Sequence, residues 1–70
     1  MKNKKNKRMQ VARIMKDYSQ EDLANVVGVA RQTIGLIENG KYNPSLKLCI
    51  DICKALDKTL NDLFWDEEDI

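Results

Sequence analysis

The stretch YSQEDLANVVGVARQTIGLIENGKYNPSL, residues 18–46, decides the fold. Ser19 followed three residues later by Asp22 is an acidic form of the reciprocal cap that opens a helix. Leu23, Val26 and Val27 give that helix an apolar side, and Gly28 ends it, because glycine accepts the left-handed conformation that closes a helix. A second short helix runs from about Ala30 to Asn39 and is stopped by Gly40. Ala30 is a poor cap, having no side-chain oxygen for a free amide. Two short helices on a tight turn need a small residue at their crossing, a glycine at the turn and apolar anchors beyond it. Ala24, Gly28, Ile34 and Ile37 stand at those places, the spacing of a helix-turn-helix unit.

Projection of the second of these helices at about 100° per residue separates its faces. Ile34 and Ile37 point one way, Gln32, Gly35, Leu36 and Asn39 the other, and Arg31 flanks the N-terminal end. Gly35 is a puzzle, since glycine inside a helix costs about 1 kcal/mol relative to alanine. On the outer face it is expected to let the backbone approach a ligand closely.

Outward from this unit, KRMQVARIMKDY carries Met9, Val11, Ala12 and Met15 at near-helical spacing and reads as a first helix. KYNPS is a loop in which Asn43 is a candidate cap and Pro44 suits the first turn of the next helix. SLKLCIDICKAL places Leu48, Cys49, Ile52, Cys53 and Leu56 on one face. Asp57 and Lys58 make a turn, and Thr59 with Asp62 forms another capping box ahead of LNDLFW. No segment has the period-two alternation of a strand. The expectation is an all-α domain of five short helices.

Seventy residues suffice for one small core. The net charge of +1 hides a segregation. Residues 1–16 carry Lys2, Lys4, Lys5, Lys7, Arg8, Arg13 and Lys16 without an acid, whereas residues 61–70 carry Asp62, Asp66, Glu67, Glu68 and Asp69 without a base. One end is therefore suited to a polyanion and the other repels it. The expected organisation is a basic N-terminal arm over 1–7, a domain over 8–65 and an acidic tail over 66–70. Lys2, Lys4, Lys5 and Lys7 of the arm would add salt-dependent attraction to phosphate.

Cys49 and Cys53 are the two cysteines and histidine is absent. Two thiols do not make a zinc site, and on one helical face they are expected to be buried hydrophobes. With no metal cluster, no cofactor motif and no phosphate-binding glycine loop, an enzyme is not expected. No membrane span or signal-peptide pattern is present, so a cytoplasmic protein is expected.

The pattern SQEDLA…GVxRQTIxxIExGKYNPSL resembles the Cro/cI/Xre group of phage-repressor-like helix-turn-helix transcriptional regulators, over Arg13 to about Phe64, and is most similar to the short single-domain bacterial type. The resemblance implies a λ-repressor-like fold of five helices with the third in the major groove of double-stranded DNA. It further implies that Arg31, Gln32 and Leu36 face base edges. Ser19, Gln20, Thr33, Asn39 and the loop after Gly40 then touch phosphate, and Arg13 pairs with Glu38 to brace the first helix against the third. The side-chain chemistry agrees: arginine suits guanine, glutamine suits adenine, and Leu36 suits a thymine methyl. Lys41, Tyr42 and Asn43 are placed to follow the sugar-phosphate backbone.

One recognition helix reads few base pairs, so a homodimer on a near-palindromic operator is expected. Leu60, Leu63, Phe64 and Trp65 are its expected interface, since tryptophan is enriched among interface anchors. The expected function is transcriptional repression. An antitoxin-like subunit that binds an unknown protein partner and autoregulates its operon is the alternative.

Overall fold

The computed structural model describes residues 5–65. It contains α1 (Lys7–Met15), α2 (Gln20–Val27), α3 (Arg31–Glu38), α4 (Leu46–Leu56) and α5 (Leu60–Leu63), with no strand among the described residues.

Asn6 opens α1. Its side-chain oxygen accepts the Met9 amide at 3.0 Å, the usual work of an N-cap. Its Nδ2 donates to the Leu63 carbonyl at 2.8 Å, and its backbone amide donates to the Glu38 carbonyl, also at 2.8 Å. One residue thus ties the start of α1 to the ends of α3 and α5. Lys7, at the junction of the expected arm with KRMQVARIMKDY, is the first residue of the helix. The acidic tail and Lys2 and Lys4 lie outside the described residues.

The caps of α2 form as the sequence predicts. The Ser19 hydroxyl accepts the Asp22 amide and the Asp22 carboxylate accepts the Ser19 amide, each at 2.9 Å. Gly28 closes the helix at φ +80°, a conformation that side-chain-bearing residues seldom adopt. Ala30 supplies no side-chain cap to α3. Thr59 and Asp62 form the second capping box, opening the single turn of α5.

The start of α4 differs from the sequence reading. Ser45, not Asn43, is the N-cap, and its hydroxyl accepts the Leu48 amide at 3.1 Å. Pro44 therefore precedes the cap rather than entering the first turn. At the other end Asp57 takes the left-handed conformation, with φ +57°. Its carboxylate pairs with Lys16 at the end of α1.

The core is built from Met9, Leu23, Ile34, Ile52, Leu56 and Leu63, all fully buried. α2 packs on both α3 and α4, while α1 rests on α3 and α5. Cys49 and Cys53 are buried free thiols on the inner face of α4, and burial raises the pKa of each. The sequence grouping in α1 is divided by the structure. Met9 and Ala12 turn inward, but Val11 and Met15 turn outward with Ile14, leaving an apolar stripe on the surface.

Candidate nucleic-acid interface

α3 presents two chemically distinct sides. Ile34 and Ile37 are buried in the core and Glu38 is buried beside them. Arg31, Gln32 and Asn39 are exposed, as are Lys41, Tyr42 and Asn43 in the loop that follows. Thr33 and Leu36 are half-buried, so Leu36 is not a free-standing apolar side chain. The first turn of α3 carries no acid and no cap. Its free amides and the positive end of the helix dipole therefore share a surface with Arg31, an arrangement suited to phosphate.

The inner side is secured by a charge pair. Arg13 Nε donates to Glu38 Oε2 at 2.8 Å, and both side chains are nearly excluded from solvent. The second guanidinium branch donates to the Tyr18 carbonyl at 2.8 Å, so the cation is held on two sides. No buried side-chain nitrogen or oxygen among the described residues lacks a hydrogen-bond partner. This completeness matters, because a buried charge is tolerated only where its hydrogen bonds are satisfied.

Gln20 extends the pair to the surface. Its Nε2 donates to Glu38 Oε1 at 3.1 Å, and its Oε1 accepts from Arg31 Nη1 at 3.2 Å. Glu38 can only accept, so it fixes which way round the Gln20 amide lies. The amide oxygen is thereby turned toward Arg31. A continuous polar chain runs from the Tyr18 carbonyl through Arg13, Glu38 and Gln20 to the exposed guanidinium of Arg31.

Gly35 lies along this chain. A Cβ built there would meet the Gln20 amide oxygen at 3.6 Å, an ordinary contact. The glycine therefore faces Gln20, rather than open solvent as the projection alone suggests, and it does not face the core.

Ser19 is exposed at the start of α2, with its hydroxyl already accepting the Asp22 amide. The expected dimer residues separate. Leu63 is 2% exposed and packs in the protomer's own core. Leu60 and Phe64 pack partly against that core, and Trp65 remains 51% exposed.

Asn6 was missed by the sequence reading, which took it as part of an unpatterned tail. Its signal was the preference of asparagine for the position just before a helix. Arg8 was also missed: Nη1 donates at 3.0 Å to the carbonyls of Asn61 and Trp65 at the end of α5. That contact crosses more than fifty positions and leaves no local mark.

The helix-turn-helix family profile matches residues 9–63, nearly all of the described chain. The chain belongs to the Cro/cI/Xre helix-turn-helix family. It is 54% identical over 52 residues to an uncharacterised HTH-type transcriptional regulator, YgzD, of Bacillus subtilis, covering 74% of this chain and 79% of that one. A Methanocaldococcus jannaschii protein described in the same way is 46% identical over 69 residues, covering 99% and 98%. Relatives of this helix-turn-helix chain thus include archaeal as well as bacterial proteins. Among solved structures, the restriction-modification controller protein C.AhdI from Aeromonas hydrophila superposes with a TM-score of 0.78 at 36% identity, covering 84% of this chain and 89% of that one.

This helix-turn-helix protein is a DNA-binding transcriptional regulator with the all-α, five-helix fold of its family. No helix among the described residues is long and apolar enough to cross a membrane.

Proposed function

We propose that the chain is a repressor that binds a near-palindromic operator as a homodimer, with α3 of each protomer in the major groove. The observation that carries this reading is the division of α3: one side is fastened to the core through Ile34, Ile37 and Glu38, and the other is exposed and polar. A helix fastened in this way presents side chains to a groove in fixed register. Arg31, Gln32 and Leu36 read base edges. Ser19, Thr33, Asn39, Lys41, Tyr42 and Asn43 set the register on phosphates, which positions the protein without reading sequence.

Gln20 has a double part. It reaches the backbone, as its place at the start of α2 suggests, and its amide oxygen steadies Arg31 before DNA arrives. The arm contributes salt-dependent attraction from a root beside the end of α3, where the Asn6 amide bonds the Glu38 carbonyl. Trp65 is the exposed part of the expected dimer surface.

Selection of bound sequences from random duplex DNA tests the whole reading. The expected product is two related half-sites about 10 base pairs apart, the spacing of two recognition helices across a two-fold axis. Arg31→Ala should then lose about 1–3 kcal/mol of discrimination at one base pair of each half-site. Failure to enrich any sequence at moderate salt would overturn the proposal.

A further inference from the structure

The α1 stripe has no partner among the described residues. Val11, Ile14 and Met15 are 53%, 55% and 77% exposed. Val11 and Met15 also line a groove of about 390 Å³ beside α5, with Leu63 in its wall. Lys7, Arg8 and Lys58 stand around that groove. Asp62 also lines it, and its carboxylate accepts the Thr59 amide at 2.9 Å. The result is an apolar floor within a mainly cationic border.

Close to the groove stands the half-exposed Trp65, whose carbonyl accepts from Arg8 at 3.0 Å. Asp66, Glu67, Glu68 and Asp69 follow it in sequence. Each protomer therefore carries an exposed aromatic side chain followed by acids, next to an apolar groove bordered by cations. Two-fold interfaces are self-complementary, with one patch meeting its own copy. An axis passing between Trp65 and the groove, near Arg8, would bring each indole onto the other protomer's groove.

We infer that a second copy of this chain covers the α1/α5 groove, with Trp65 of each protomer seated between Val11 and Met15 of the other. The inference rests on the homodimer reading above and adds the receiving surface to it. It also accounts for an outer α1 face that is apolar although no part of the described protomer covers it.

The test uses the full chain and its one tryptophan, so that emission reports Trp65 alone. On serial dilution the emission should move to the red over the same concentrations at which sedimentation shows dimer becoming monomer. Met15→Glu and Trp65→Ala should each raise the dimer dissociation constant by about thirtyfold or more, the scale of a hot-spot anchor. Helical circular dichroism should be unchanged, because both side chains are exposed in the protomer. A dimer that dissociates without any change in emission, or that survives Met15→Glu intact, would overturn the inference and leave the homodimer standing. Emission that is blue-shifted at every dilution and reddened by Met15→Glu in a monomer would put Trp65 in its own groove and overturn it also. A chain that is monomeric at all concentrations, with and without its operator, would remove the homodimer reading itself.

Discussion

α2 and α3 are each eight residues long and pack against one another, yet they are held by different means. α2 is closed by residues at its own ends, the Ser19 and Asp22 cap in front and Gly28 behind. α3 has no side-chain cap and carries a glycine in its interior. It is fixed by contacts from far away in the chain: Arg13 and Gln20 on Glu38, Asn6 on the Glu38 carbonyl, and Ile34 and Ile37 in the core. α2 is specified locally and α3 tertiarily. A helix with no side-chain cap on its first turn keeps amide donors there for a ligand, and its placement is then entrusted to its buried side.

The contrast breaks most visibly at the buried pair. Arg13→Ala leaves Glu38 buried without its cation and should destabilise the domain by about 3–5 kcal/mol, read from urea unfolding midpoints. A loss below about 1 kcal/mol, typical of a surface pair, would mean that α3 does not depend on this contact. At the caps the effects are smaller. Ser19→Ala should lower stability by about 0.5–2 kcal/mol. Ala30→Ser, at a residue already in the extended conformation of a cap, should raise it by a similar amount, about 0.5–2 kcal/mol, by giving α3 what α2 already has.

Gly35→Ala sharpens the contrast further. The new methyl group makes only ordinary contact with Gln20, so helix propensity decides the sign. A gain of about 0.8–1 kcal/mol is expected in thermal unfolding. The smallest effect is a pH dependence in α2. The Asp22 pKa is lowered chiefly by the hydrogen bond from the Ser19 amide, with the Ser19 hydroxyl adding to it. A depressed folded pKa gives stability that is present above the ordinary carboxylate value of about 4 and is lost as pH falls through the lower folded value. Acid melting of Asp22→Asn should therefore be less steep than that of the parent chain. Asp62 stands in the same relation to Thr59 and will contribute a second, parallel dependence.

The parts of the fold that were legible in sequence are those that rest on neighbouring residues. The two capping boxes, the turn at Gly28 and the inward set of α3 each depend on spacings of three or four residues. Where two local signals competed, the reading chose the wrong one: Ser45 stands three residues before the Leu48 amide, which draws the cap away from Asn43. In α1, apolar residues occur around so much of the helix that periodicity could not assign a face. Met9, Ala12 and Arg13 were chosen by packing against the other helices. The short α5 has only one turn in which to bury anything, and Leu63 takes that place in the core. The expected pairing of Arg13 with Glu38 appears in the structure, but its extension through Gln20 to Arg31 does not follow from any local pattern. It joins the start of α2 to both ends of α3 through side chains eleven and eighteen positions apart.

Asn6 carries a consequence for the order of folding. Its side chain closes on a carbonyl 57 residues later, and its amide closes on the last residue of α3. A chain emerging from the ribosome can form α2 and its caps early, since those bonds span three residues. The clamp at the start of α1 must wait until Leu63 has been made, because contacts of long sequence separation can form only after the intervening chain exists. α1 is therefore locked only after α5 has been made, although it precedes α2, α3 and α4 in the chain.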